Sequence, residues 1–149
     1  MGFLDKIKSA KNMMTGGGAK VQIQIPGDAC RGQAVPVMVR AQVAGAPLKV
    51  TKVYIKVRAR ENVNFTLNNK GEKIHIDEDH ETFTQEFAVT GPLELEAESQ
   101  HEWPAEIQLP VSSQASYRGH NSNHVWEFQA ALDVKGNDPD SGWQELPVS

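Results

Sequence analysis

Val53-Tyr54-Ile55-Lys56-Val57-Arg58-Ala59-Arg60 is the stretch that decides the fold of this chain. Val53, Ile55, Val57 and Ala59 alternate without a break with Tyr54, Lys56, Arg58 and Arg60, and Lys52 extends the polar row by one place. A period of two belongs to a strand, in which successive side chains leave opposite faces. A slip of one residue would bury the whole basic row, so the register is strongly specified. The stretch therefore predicts a strand with one face on a core and one face carrying cations.

The same period continues on both sides of it. Towards the N-terminus, Val21, Ile23 and Ile25 form one apolar row, and Val35, Val37, Val39, Ala41 and Val43 form another. Pro36 falls early in the latter, which suits a sheet edge or a strand start. Towards the C-terminus, a weaker region over 61–81 holds a short strand around Phe65, a turn at Asn68-Asn69-Lys70-Gly71, then Ile74 and Ile76. Phe83, Phe87 and Val89 follow, then Leu93 and Leu95, then Trp103, Ala105, Ile107 and Leu109. Residues 111–123 read as a polar loop. Trp126, Phe128, Ala130, Leu132 and Val134 make the last long inward row, and Trp143 with Leu146 suggests a short closing strand. Turns at Pro26-Gly27-Asp28 and Gly45-Ala46-Pro47 punctuate the strands. Eight or nine strands with regular turn signals and no internal repeat predict an all-β, antiparallel sandwich.

One segment has a different period. Phe3, Leu4, Ile7, Ala10 and Met14 follow helical spacing, with Asp5, Lys6, Lys8, Ser9 and Asn12 opposite and Lys11 at the margin. The expected organisation is an amphipathic helix over 1–15, a glycine-rich joint over 16–19 and a single sandwich over 20–149. Phe3, Leu4, Ile7, Lys8 and Lys11 are the candidates for docking that helix on the domain, on a partner or on a membrane surface.

With 149 residues, 39% of them hydrophobic and 23% charged, the chain fits one globular domain and holds no apolar run long enough to cross a membrane as a helix. The N-terminus lacks the continuous apolar stretch of a secretory signal. Cys30 is the one cysteine and has no internal partner, which points to a reducing compartment, most simply the cytoplasm. A net charge of −4 argues against a nucleic-acid binder. The charge is unevenly spread: residues 1–60 hold eleven Lys and Arg against two acids, and residues 61–149 hold four against seventeen. Basic and acidic strands in an antiparallel fold pair with one another, and this is the favoured explanation. Glu72, Asp77, Glu86, Glu94, Glu96 and Glu98 are numerous enough to face Lys52, Lys56, Arg58 and Arg60, with the ends of that row left exposed. Where those acids lie elsewhere, the row becomes an electropositive strip able to steer an acidic partner.

No constellation of catalytic residues stands out. Cys30 lies in a turn with no histidine near it and reads as a small half-buried thiol. His75, Asp77 and Asp79 share one strand face beside His80, with His101, His120 and His124 on other elements. They are the candidates for a metal-dependent enzyme, although a solvated polar face explains them better. Asp133, Asn137, Asp138 and Asp140 form an oxygen-rich loop open to a cation, but without EF-hand spacing; Asx-type turns account for it. Trp103, Trp126 and Phe128 belong to the core by alternation, and Tyr54 is the aromatic that stands on an outward row. No cofactor is expected.

In the C-terminal half the residues become more specific. Trp103-Pro104-Ala105-Glu106-Ile107-Gln108-Leu109-Pro110 resembles the arrestin-family strand that ends in Leu-Pro. Ser116-Tyr117-Arg118-Gly119 is similar to that family's Ser-aromatic-x-Gly loop, and Val125-Trp126-Glu127-Phe128-Gln129-Ala130-Ala131-Leu132-Asp133 resembles its aromatic strand. Gly136-Asn137-Asp138-Pro139-Asp140 and the basic N-terminal segment resemble the bacterial and archaeal sporulation-control branch. The resemblance implies an immunoglobulin-like, arrestin-like sandwich and a non-enzymatic adaptor or scaffold role that binds other proteins. Members of this kind usually carry two sandwiches in tandem, so this chain is expected to be either a one-domain relative or a first half whose second follows Pro147. The family's phosphate-sensing latch is not carried over. The alternatives to an adaptor are a membrane-surface module docking through the basic helix and, less favoured, an enzyme built on the His75/Asp77/Asp79 cluster.

Overall fold

The computed structural model describes residues 18–149. The helix expected over 1–15, with Phe3, Leu4, Ile7, Lys8 and Lys11, lies outside the described residues, as do Gly16 and Gly17. Among the described residues there are ten strands and no helix.

The alternating rows set two sheets face to face. One has the order β1 (Ala19–Gln24), β2 (Ala34–Val43), β7 (Gln100–Gln108). The other has the order β10 (Gln144–Leu146), β9 (Ser122–Asp133), β4 (Lys52–Asn69), β5 (Glu72–Ala88), with β8 (Tyr117–Arg118) also paired to β9. A ribbon of β3 (Leu48–Val50) and β6 (Leu93–Leu95) closes one end. Every pair of strands is antiparallel. Between the sheets Val21, Val35, Val39, Ala41 and Val43 meet Val53, Ile55, Val57, Trp126, Phe128, Ala130 and Leu132, all with almost no solvent exposure. Burying that apolar surface is the main force holding the layers together.

One of the expected core assignments shifts. Trp103 is only partly buried, because β7 is an edge strand and one flank of its inward row is open; its ring stacks on His101. Pro36 lies on a central strand, yet β1 pairs only with Met38–Val43, so the missing N–H falls where a single neighbour flanks the strand.

The region over 61–81 departs most from expectation. Instead of short strands it continues β4 and β5 as one long hairpin, closed by Lys70-Gly71 with φ of 51° and 84°. Both central residues at positive φ make the tight two-residue turn that matches strand twist. β9 stops pairing with β4 at Val63↔Ser122, so from Phe65 onward β4 has β5 as its sole neighbour. The hairpin therefore projects from the sandwich as a two-stranded arm.

Candidate functional site

The basic row lies on the outer face of the β9-β4-β5 sheet, and most of it is paired. Lys52 reaches Glu86 at 2.6 Å, and that hydrogen bond holds its ammonium pKa above the ordinary lysine value. Arg58 and Arg60 converge on one carboxylate oxygen of Glu127, at 3.0 and 2.9 Å. Arg58 also stacks over Trp143, its guanidinium 3.9 Å from the ring centroid. The exposed cation is Lys56 in the middle of the row, 5.9 Å from the Tyr54 ring centroid. The expectation that the ends would be exposed is thus corrected: the ends are paired. The partner that sequence reasoning missed is Glu127. It stands directly across β9 from Arg58 in the ladder, and it occupied an outward position in the Trp126-Phe128 alternation.

Tyr54, expected on a solvent-facing row, is 7% exposed. The loop after β9 folds back over it: Leu132 N–H donates to Pro139 O, and Ser141 N–H donates to Ala130 O. Tyr54 donates its hydroxyl to Asp138 Oδ2 at 2.6 Å, while Val134 N–H donates to Oδ1 of the same carboxylate. Burial, and then that hydrogen bond, push the phenol pKa well above its usual range. Asp140 accepts from Gly142 N–H. The oxygen-rich loop thus spends these carboxylates on turn chemistry and on Tyr54.

The histidine–aspartate cluster sits on the exposed polar face of the arm. His75 contacts the Thr66 hydroxyl, and the Asn62 amide donates to both Asp77 and Asp79. Among the described residues no three His, Cys, Asp or Glu side chains gather as metal ligands. Cys30 is half-buried and accepts from the Ser149 hydroxyl.

Where the arm leaves the sandwich, the core closes on a polar plug. His124 is the buried polar residue of the chain's described part. Its Nδ1 lies 3.0 Å from Ala115 O and its Nε2 2.6 Å from the Thr82 hydroxyl. Tyr117 stacks on its ring and donates to Glu61. Thr82 is the extra residue of a bulge: Ala59 pairs with Phe83 and Arg60 with Glu81, which leaves Thr82 free to bond both Ala59 O and His124.

Beyond the plug the inward row resumes with nothing over it. On β4 it runs Val63, Phe65, Leu67; on β5, Ile76 faces Phe65 and Ile74 faces Leu67. Leu67 is 46% and Ile74 43% exposed. The same face carries Glu78 opposite Val63 near the base and Glu72 opposite Asn69 at the tip. Among the described residues no basic side chain pairs with Glu72 or Glu78. The arm thus offers an apolar strip bracketed by carboxylates.

These features can be set beside known proteins. The family model described as SpoOM protein matches residues 10–142. The chain belongs to the SpoOM family. Among solved structures it is similar to Spo0M, the sporulation control protein from Bacillus subtilis, with a TM-score of 0.63 and 18% identity over 89% of this chain and 50% of that one. The chain therefore spans half the length of that relative, and at this identity the likeness establishes the fold, which is arrestin-like. No curated protein matches the sequence. The SpoOM match takes in the three stretches that resembled the family. They form β7 in one sheet and the β8 turn and β9 in the other, and β9 carries the His124 of the polar plug.

Proposed function

We propose that this chain is a non-enzymatic regulatory module that works by binding other proteins, with the arm as its contact surface, in the cytoplasm. Membership of a family whose solved relative is titled a sporulation control protein supports a regulatory role. The single observation that carries the choice of surface is the strip Val63, Phe65, Leu67, Ile74 and Ile76, which keeps the alternation of a buried row with no second layer on it. A two-stranded ribbon is marginal alone, and exposed apolar strips of this kind mark contact sites. The basic row serves the fold, through Glu86 and Glu127, more than it serves a partner.

The test is affinity capture with the full chain against a Leu67→Thr/Ile74→Thr variant, with captured proteins identified by mass spectrometry. Threonine keeps β-propensity and removes the apolar surface. A specific partner retained by the parent and lost by the variant supports the reading. Equal capture by both moves the contact away from the arm.

A further inference from the structure

We propose that the open edge of β5 in the arm takes an added strand from a partner protein, an extended segment in which apolar residues alternate with lysine or arginine. The inference rests on the arm being a contact surface and names the chemistry of what binds there.

The ladder shows which main-chain groups are open. Asn64 N–H donates to Asn121 O, on the β9 side of β4, and at the other end of the strand Val89 N–H donates to Val53 O. Successive residues of a strand turn their main-chain groups to opposite sides, so the odd-numbered residues of β4 bond to β5. Their partners Ile74, Ile76 and Glu78 are therefore used in the ladder. The N–H and C=O groups of Lys73, His75, Asp77 and Asp79 point away from it. β5 ends its sheet, with β4 as its one neighbour among the described residues. The open run is about 20 Å long, room for a strand of about seven residues. On the β4 side of the arm only Thr66 and Asn68 face outward past the last pair with β9, too few for a comparable ladder.

Each face of that edge selects a side-chain type. Ile74 and Ile76 lie at the margin of the apolar strip, so an added strand that sets apolar residues beside them widens the strip. On the opposite face stand Asp77 and Asp79. The Asn62 amide takes Oδ1 of each, and no cation among the described residues pairs with either. Residues 72–81 hold Glu72, Asp77, Glu78, Asp79 and Glu81 against one lysine, Lys73. A second β5 edge would set acid on acid, so pairing of two copies here is disfavoured, whereas a segment with cations on alternate residues is attracted. Alternation puts both requirements on one segment, with apolar side chains towards the strip and basic ones towards Asp77 and Asp79. The gain is a third strand, which a two-stranded ribbon needs to be stable by itself.

The probe is a capped octapeptide of alternating lysine and valine, titrated into the full chain by calorimetry at low and high salt. Its block isomer, four lysines followed by four valines, has the same charge and composition without the alternation. The alternating peptide should bind about tenfold more tightly than the block isomer, and more weakly as salt rises. In its complex the amides of Lys73, His75, Asp77 and Asp79 should exchange more slowly than in the free chain. Asp77→Asn/Asp79→Asn keeps the bonds from Asn62 and should weaken binding about threefold. His75→Pro removes one outward N–H, leaves the bonds of Ile74 and Ile76 to β4, and should abolish binding with the parental melting curve retained. The peptide N-methylated at every residue, with no N–H to donate, should not bind. Equal binding of the block isomer, or binding of the N-methylated peptide, overturns the proposal in favour of general charge attraction. So does a His75→Pro variant that binds as the parent does, or a parent that binds none of the peptides. If none binds while Leu67→Thr/Ile74→Thr still loses its captured partner, the added strand is overturned and the arm stands as a contact surface of another kind.

Discussion

Ile55 and Phe65 stand on one strand, in one row, ten residues apart. Ile55 is sealed between two sheets, with β9 and β5 on its flanks and the valines of β2 across the core. Phe65 follows the same alternation into a ribbon with nothing across from it. The boundary between them is built from polar groups: Glu61, His124, Thr82 and Tyr117 close the core at the level where β9 ends. Period two therefore assigns a side chain to a face, while the second layer decides whether that face is dry. A row that stays apolar after its cover has ended points to cover supplied from elsewhere.

The sharpest way to break this comparison is to remove one large side chain from each region. Trp126→Ala should cost about 3–5 kcal/mol, because it opens a cavity in the middle of β9 where the indole is fully buried and donates to Gln114 O. Leu67→Ala should cost under about 1 kcal/mol in dilute solution, since its side chain is already nearly half exposed. Denaturant melts of both variants check the pair. Similar losses would mean that the arm is part of the cooperative core.

The charged residues divide in the same way. Glu127 holds two guanidiniums with 14% of its side chain exposed, so Glu127→Ala leaves both cations without their carboxylate and should destabilise by about 1–3 kcal/mol. Glu78→Ala on the arm should stay within about 0.5 kcal/mol of the parent. A smaller effect, of about 1 kcal/mol near neutral pH, is expected for Tyr54→Phe through the lost bond to Asp138. That variant should also flatten the alkaline limb of stability. The folded phenol ionises well above the ordinary tyrosine value of about 10, so the unfolded chain releases its proton first as pH rises. Stability is then full below that value and falls with increasing pH above it. Lys52, raised by Glu86, acts in the same direction, so the slope should shrink without vanishing. Urea melts from pH 8 to 11 read the difference; identical slopes would show that Tyr54 titrates freely.

The inward rows were legible because alternation is local. Val53 to Ala59 and Trp126 to Leu132 could be placed on a buried face from sequence alone, and the stretches after Trp103 pointed to the family. What sequence could not supply was neighbours. Glu86 was among the acids expected near the basic row, yet Arg58 and Arg60 turn to Glu127 instead, which β9 sets directly across from Arg58. Tyr54 looked exposed because nothing in its own strand tells that the loop before Trp143 returns over it. The arm was read as weak strands because its polar face, Asn62, Asn64, Thr66, His75, Asp77 and Asp79, diluted the apolar signal. The strip Val63, Phe65, Leu67, Ile74, Ile76 was present in the sequence all along, with the Asn69-Lys70-Gly71 turn between its halves.

The smallest effect on stability belongs to the variant with the most to say about function. Leu67 and Ile74 face one another across the last part of the arm, past the point where any third strand supports the pair. Leu67→Thr/Ile74→Thr exchanges an apolar cross-strand pair for a hydroxyl pair of good β-propensity, a change of a few tenths of a kcal/mol. Global melting should be unchanged within about 0.5 kcal/mol, because the core ends at the His124 plug and the ribbon beyond it opens independently. Hydrogen exchange can tell local from global effects. In dilute solution the amides over 65–76 should exchange quickly in parent and variant alike, while those of Val53–Ala59 stay protected in both. With a captured partner bound, the parental arm should become protected and the variant arm should not. Protection of the arm in dilute parent protein would show that the ribbon is stable without cover, and the contrast between Ile55 and Phe65 would then be one of exposure only.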